Sequence, residues 1–138
     1  MRTAVDTNVF SALWSSDPTA STVSSLLGHS YNAGSVVICG AVYAELLAHS
    51  KATRNFVDHF LADTGVQIDF DLGETVWRDV ARSFADYVER RRRSDGTVVK
   101  RLLVDFMVGA HALHRADRLI TLDSSRYKLD FPNLVLLP

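Results

Sequence analysis

The sequence lacks the features that stabilise small secreted domains or anchor a chain in a membrane. Its single cysteine, Cys39, cannot form a disulfide within the chain, and only three of the 138 residues are proline. A lone cysteine is typical of proteins from a reducing compartment. No apolar run approaches the roughly 18 residues of a membrane-spanning helix, and the segment before Asp6 is too short for a signal peptide. These absences predict a cytoplasmic protein with no membrane segment.

An excess of charge of either sign is also missing. Fifteen basic and sixteen acidic residues leave a formal net charge of −1, which argues against binding a polyanion through the whole surface. A nucleic-acid ligand would therefore have to meet a local basic patch. The length and the 47% of hydrophobic residues are sufficient for one domain with its own core.

Short β-rich runs alternate with longer helical runs along the whole chain. Strands are predicted at residues 3–5, 36–39, 66–70, 119–122 and 134–137, and helices at residues 19–27, 41–48, 56–61, 71–93 and 102–113. Asp71 and Glu74 are spaced like a capping box at the start of the longest helix. The alternation predicts an α/β fold in which helices flank a central parallel sheet of four to five short strands. No linker or repeat divides the chain, so residues 1–138 are interpreted as one domain.

Four acidic residues interrupt this pattern. Asp6 and Asp123 follow predicted strands, and α/β sheets bind their ligands at the carboxyl ends of strands. Asp105 and Glu45 are embedded in apolar helical segments, where a charge is normally paired, protonated or bound to a metal. Each residue also has a structural alternative: an Asx turn for Asp6, a helix cap for Asp105 or Asp123, and a solvent-facing helix edge for Glu45.

Convergence of the four carboxylates would identify the kind of ligand. Two carboxylates about 4 Å apart repel by about 4 kcal/mol at an effective dielectric constant of about 20, so a group of four requires protons or a cation. Mg²⁺ and Mn²⁺ prefer such oxygen ligands. A site of this kind polarises a phosphate and activates a water molecule for in-line attack.

Four ordered motifs carry a resemblance to a known family. They are VDTNVF at residues 5–10, VYAEL at residues 42–46, VDFMVGAHAL at residues 104–113, and LITLD at residues 119–123. In this order and at these separations the chain resembles the PIN-domain ribonucleases, specifically the VapC-type toxins of prokaryotic toxin–antitoxin pairs. The motifs span nearly the whole chain, so the predicted domain is a single PIN-like nuclease domain.

The resemblance assigns roles to residues of this sequence. It implies that Asp6, Asp105 and Asp123 hold a Mg²⁺ or Mn²⁺ ion and that Glu45 completes the catalytic quartet, as a ligand or by orienting the attacking water. Two further residues match positions that support the acidic side chains in the family: Asn8 and Thr121. The sequence departs from the family at Leu122, where many relatives carry arginine. Without that arginine, fewer phosphate contacts would form near the metal.

The resemblance also implies partners. It predicts an RNA substrate, a VapB-like antitoxin that blocks the site, and a homodimer. The first hypothesis is therefore a metal-dependent endoribonuclease that acts as the toxin of a type II toxin–antitoxin pair. The alternatives are a PIN nuclease of RNA maturation or decay that is not a toxin, and a non-catalytic RNA- or protein-binding module of the same fold. The intact quartet argues against the module, which would not need to keep four repelling charges.

A run of basic residues ends the longest predicted helix. Cations near a helix C-terminus offset the helix dipole, but four consecutive arginines exceed that need. The run is therefore interpreted as a possible contact with RNA phosphates, with two more basic residues following after a polar loop. The possible RNA-binding residues are Arg90, Arg91, Arg92, Arg93, Lys100 and Arg101.

Overall fold

A five-stranded parallel sheet forms the centre of the fold in the computed structural model, which describes residues 1–50 and 52–138. The strands are β1 (Arg2–Val5), β2 (Ser35–Cys39), β3 (Gln67–Asp69), β4 (Arg118–Ile120) and β5 (Leu136–Leu137). Seven helices of the described residues flank them: α1 (Thr7–Trp14), α2 (Ala20–Ala33), α3 (Gly40–Leu47), α4 (Arg54–Thr64), α5 (Gly73–Arg93), α6 (Leu103–Arg115) and α7 (Ser125–Lys128). The predicted α/β fold with a central parallel sheet is confirmed.

The order of the strands positions the site. The sheet runs β3-β2-β1-β4-β5, so the chain builds outwards from β1 in one direction and then in the other. Ala4 of β1 lies opposite Val37 on one side and Leu119 on the other. The crevice at the carboxyl ends of β1 and β4 is therefore the topological switch point, where open α/β sheets bind ligands.

Apolar side chains from both helices and strands form the core. Helices α2 and α6 both contact β1 and β2, and α6 also packs along α5. Phe106 of α6 and Phe131 are buried. A Cβ atom on Gly109 would lie 2.3 Å from the ring of Phe131, so the close approach of this ring to α6 depends on glycine. Among the described residues, no helix combines the length and apolar character needed to cross a membrane.

The start of α5 differs from the prediction. Leu72, not Asp71, is the residue that precedes the helix, and the predicted capping box of Asp71 and Glu74 is wrong. Gly73 has a φ of +74°, which interrupts the helical backbone between the two acidic residues. The Asp71 carboxylate accepts the backbone N–H of Gly73 at 2.9 Å, and Glu74 pairs with Arg78 at 3.2 Å instead.

Helices α1 and α7 were not predicted, and three strands are shorter than expected. Strand β3 covers Gln67–Asp69 rather than residues 66–70, β4 ends at Ile120 rather than residue 122, and β5 covers Leu136–Leu137 rather than residues 134–137. The backbone N–H of Leu122 donates to the side chain of Asn8 at 3.1 Å, which turns the chain away from the sheet. Both unpredicted helices directly follow strand ends of the switch point, and they carry side chains of the site.

Candidate active site

Asp6 lies at the end of β1 and caps helix α1. Its side chain is buried, and each carboxylate oxygen accepts hydrogen bonds. Oδ1 accepts the backbone N–H of Thr7 at 2.8 Å. Oδ2 accepts the hydroxyls of Tyr127 at 2.7 Å and Thr121 at 2.9 Å. Asp6 therefore forms a helix cap through one oxygen and a buried polar network through the other.

Asn8 and Thr121 join the two loops at the switch point. The Asn8 amide nitrogen lies 3.4 Å from the Thr121 hydroxyl and 3.5 Å from Oδ2 of Asp6. The Thr121 hydroxyl in turn accepts the backbone N–H of Asp123 at 3.1 Å. These bonds fix the loop after β4 against the start of α1. The two residues expected to support the acidic side chains thus lie between Asp6 and Asp123.

Glu45 reaches the same place from helix α3. Its Oε1 accepts the hydroxyl of Thr7 at 2.7 Å, and Thr7 is also the residue whose backbone N–H binds Asp6. Thr7 therefore links the two carboxylates. Glu45 does not face solvent as an isolated helix-edge residue, and within the part of the chain that the structure describes no hydrogen bond engages its Oε2.

Asp105 and Asp123 complete the group from α6 and from the loop after β4. Oδ2 of Asp105 accepts the backbone N–H of Leu102 at 3.1 Å, which satisfies a donor at the start of α6. Oδ1 of Asp123 accepts the Ser125 hydroxyl at 2.6 Å. The remaining oxygens face Arg126, whose Nε lies 2.8 Å from Oδ2 of Asp123 and whose Nη1 lies 3.5 Å from Oδ1 of Asp105.

Burial and charge shift the pKa values of this group in different directions. Burial raises the pKa of Asp6, although hydrogen bonds from Tyr127 and Thr121 partly offset it. Burial likewise raises the pKa of Glu45, the Thr7 hydrogen bond opposes this shift, and the nearby Asp6 and Asp105 charges add to it.

The pKa of Asp123 is lowered instead, because Asp123 accepts a hydrogen bond from Ser125 and lies beside the positive charge of Arg126. The three shifts together describe a partly desolvated acidic site with one cationic partner.

The residue types fit a hard divalent cation. Four carboxylates converge at one edge of the sheet, which matches the oxygen-rich ligand set that Mg²⁺ and Mn²⁺ select. Among residues 1–50 and 52–138, however, no three His, Cys, Asp or Glu side chains are grouped closely enough to hold a metal ion as arranged here. The positive charge between Asp105 and Asp123 is instead the guanidinium of Arg126.

The predicted basic run divides into paired and open residues. Arg90 forms an ion pair at 2.6 Å with Asp130, whose side chain is only 6% exposed. Arg92 and Arg93 both pair with Glu89 on the same helix. The covered pair gives Arg90 a structural role, whereas the pairs of Arg92 and Arg93 with Glu89 are exposed and therefore weak.

The other basic residues line two neighbouring cavities. Arg91, Lys100 and Arg101 border an open cavity of about 440 Å³ beside the end of α5. Arg101 also borders a smaller cavity of about 80 Å³ together with Arg126. A basic surface therefore continues from the acidic site to the end of α5.

Three side chains of the site were not predicted from the sequence: Thr7, Arg126 and Tyr127. Thr7 adjoins Asp6 within the first of the four motifs, so its position gave a partial signal. Arg126 and Tyr127 lie on the one-turn helix α7, which is too short to leave a periodic pattern. Only the tertiary structure shows that these two side chains point back to Asp6, Asp105 and Asp123.

Comparisons with known proteins bear on the whole chain. A family model described as "PIN domain" matches residues 3–132. The chain is similar in structure to VapBC2 from Rickettsia felis, which was crystallised bound to a DNA fragment from the promoter of the pair. The TM-score is 0.70 at 20% sequence identity, over 99% of this chain and 98% of the other. No curated protein matches the sequence.

Proposed function

Because the chain belongs to the PIN-domain family, whose members are nucleases, we propose that it is a metal-dependent endoribonuclease and the toxin of a type II toxin–antitoxin pair. One observation carries the proposal: Asp6 is buried at the switch point with both oxygens fixed by donors, beside three further acidic side chains. A fold needs no such accumulation of charge for its own stability, because each desolvated carboxylate costs free energy.

Each acidic residue has a distinct part in the proposed reaction. Asp6, Asp105 and Asp123 hold the ion, and Mg²⁺ or Mn²⁺ would supply polarisation of the scissile phosphodiester when bound. The Thr7 hydroxyl fixes Oε1 of Glu45, which leaves Oε2 to accept a hydrogen bond from the attacking water. Tyr127, Thr121 and Thr7 fix the orientation of Asp6 through its hydrogen bonds.

The proposed partners are a VapB-like antitoxin and a second copy of the chain. The structurally similar VapBC2 is a two-component assembly on its own promoter DNA, which supports an antitoxin as the inhibitor of this site. A cognate antitoxin, encoded beside this gene in such a pair, should on co-expression yield a complex that cleaves RNA poorly, and the absence of a small protein gene there would count against the toxin. A toxin should also arrest growth when it is expressed alone, whereas an RNA-maturation nuclease should not.

The substitution Asp6→Asn tests the catalytic proposal. It removes one charge but keeps a cap for the Thr7 N–H, since asparagine caps helices as well as aspartate does. Cleavage of RNA in Mn²⁺ should fall by at least about 100-fold, the scale at which single catalytic groups act. The fold should be preserved, and melting in EDTA should change little, because the loss of a buried charge offsets the loss of the acceptor of the Tyr127 and Thr121 hydroxyls.

Asp63→Asn provides the matched control. Asp63 is an exposed residue of α4, so the same chemical change should leave cleavage unaffected. A purified chain whose RNA cleavage is insensitive to EDTA, or is equal in the Asp6→Asn and parent proteins, would contradict the proposal. A parent protein that binds RNA or protein but cleaves no RNA in Mn²⁺ would instead favour the non-catalytic module of the same fold.

A further inference from the structure

Arg126 is the counter-ion of the acidic site. Its guanidinium bridges Asp123, at 2.8 Å, and Asp105, at 3.5 Å. Within the described ranges, no other lysine or arginine side chain forms an ion pair with Asp6, Glu45, Asp105 or Asp123. The bridge therefore supplies the positive charge that two of the four carboxylates contact directly.

The contacts of Arg126 are of a kind that is easily exchanged. Its side chain is 39% exposed, and the side chain of Asp123 is 36% exposed. The second partner, Asp105, is only 14% exposed, but its contact with the guanidinium is longer, at 3.5 Å. Exposed ion pairs are weak, unlike the pair of Arg90 with Asp130, where the acidic partner is almost fully covered. The arginine is also carried by α7, a helix of only four residues, on a long flexible side chain.

Arg126 and a divalent cation would compete for the same oxygens. This step rests on the proposed function, in which Asp105 and Asp123 hold the ion. Two cations cannot share these oxygens without strong repulsion, so the ion has to displace the guanidinium. The displaced group stays tethered beside the site, where the phosphate of the substrate would lie, and its planar donors suit a phosphate.

We propose that Arg126 is an exchangeable catalytic residue. Its guanidinium neutralises Asp105 and Asp123 until a divalent cation binds these two carboxylates. The displaced guanidinium then binds the RNA phosphate at the point of cleavage. One further observation supports the proposal. Arg101 borders one small cavity together with Arg126, so the released guanidinium would join an existing basic surface.

The first experiment measures Mn²⁺ binding without RNA, by calorimetry, in the parent, Arg126→Gln and Lys128→Gln proteins. Arg126→Gln should bind Mn²⁺ about tenfold more tightly, because a competing cation next to a carboxylate changes its affinity for another cation on this scale. Lys128 lies on the same helix and is exposed. Its substitution removes the same charge without touching the carboxylates and should leave the affinity nearly unchanged.

The second experiment measures RNA cleavage at a Mn²⁺ concentration that saturates each protein. Arg126→Gln should reduce kcat on the order of 100-fold, as the loss of a donor to a developing charge does. Arg126→Lys should recover part of it, since lysine restores the charge without the planar fork. Tighter Mn²⁺ binding combined with slower cleavage is the signature of the exchange, and a residue that merely supports the fold would not produce it.

Each other outcome contradicts one identifiable part of the proposal. Unchanged or weaker Mn²⁺ binding in Arg126→Gln would show that the arginine does not compete with the ion. Tighter binding with undiminished cleavage would show that it does not act on the phosphate. A parent protein that neither binds Mn²⁺ nor cleaves RNA would overturn the proposed function itself, whereas an active parent with an unaffected Arg126→Gln variant overturns only the inference.

Discussion

The hydroxyl of Tyr127 makes one hydrogen bond in the structure, to Oδ2 of Asp6 at 2.7 Å, from a fully buried position. With the hydroxyl of Thr121 it saturates one side of the carboxylate. Among residues 1–50 and 52–138, Oδ1 accepts only the Thr7 N–H, and we expect it to face the proposed ion. Tyr127 is thus a positioning residue for Asp6, and its ring belongs to the core at the same time.

Tyr127→Phe separates these two functions. The ring and its packing remain, but the Asp6 carboxylate loses a donor. Loss of a hydrogen bond to a charged group should lower the free energy of unfolding in EDTA by about 1–3 kcal/mol. The pKa of Asp6 should rise further, because the hydroxyl favours the ionised form. Mn²⁺ binding should therefore weaken, and the loss should be greater at lower pH, where protons compete better for Asp6.

Tyr43→Phe is the control for this change. The Tyr43 hydroxyl on α3 donates to Oδ1 of Asp58 at 2.7 Å, so this variant also loses a hydrogen bond to a carboxylate, but not to one of the four acidic residues. Its Mn²⁺ affinity should match that of the parent at every pH. Equal weakening of Mn²⁺ binding in the two variants would refute a positioning role for Tyr127.

At the scale of whole elements, the packing of α6 depends on a residue without a side chain. Gly109 lets the ring of the buried Phe131 approach the helix backbone, and an added Cβ would meet three ring atoms at 2.3–2.9 Å. The same helix carries Asp105 in its first turn. A change in the packing of α6 at Gly109 would therefore also affect the position of Asp105.

Gly109→Ala should lower the free energy of unfolding by about 1–3 kcal/mol, because overpacking a buried contact outweighs the gain in helix propensity. Gly28→Ala is the matched test, since Gly28 is an exposed residue in the interior of α2 and an added Cβ meets nothing within 4 Å. It should raise stability by up to about 1 kcal/mol. Thermal or urea unfolding measures both, and a Gly109→Ala protein as stable as the parent would contradict a packing role for this glycine.

The sequence predicted helices and strands whose apolar residues recur over several positions. It missed short helices and helix starts that depend on individual contacts. The long amphipathic α5 and the apolar α6 leave clear periodicity, and the buried strands are short apolar runs. Helix α1 was missed because Asp6 was interpreted as a strand end, with an Asx turn as the structural alternative, whereas it caps the helix that follows. The start of α5 was misplaced because the positive φ of Gly73 is not visible in the spacing of Asp71 and Glu74.

The candidate site shows the same division. The four carboxylates were predicted because each is out of place in its own segment, and the parallel topology brings such positions to one edge. Their partners could not be predicted, because Thr7, Arg126 and Tyr127 are ordinary residues of their segments. Their importance arises from tertiary contacts, such as those of Tyr127 with Asp6, Thr7 with Glu45 and Arg126 with Asp105.

For the whole molecule, the distribution of charge decides where RNA can bind. The net charge is −1, and the acidic site itself repels phosphates. The basic surface bordered by Arg91, Lys100 and Arg101 is continuous with Arg126 through a shared cavity. We therefore expect RNA to leave the site across the end of α5, held by these residues and by Arg92, which borders the same cavity, rather than by Arg90, which pairs with the covered Asp130.

The double substitution Lys100→Gln and Arg101→Gln tests this path in an Asp6→Asn background, where RNA is bound but not cleaved. RNA affinity should fall, and the slope of log affinity against log salt should decrease by about 0.7 for each phosphate of a single strand that the variant no longer neutralises. The matched control is Arg54→Gln with Arg78→Gln, which removes two exposed charges paired within their own helices. Because the control changes the net charge equally, an equal decrease in slope would show that only overall charge matters, and an unchanged slope in the first pair would exclude this surface from RNA binding.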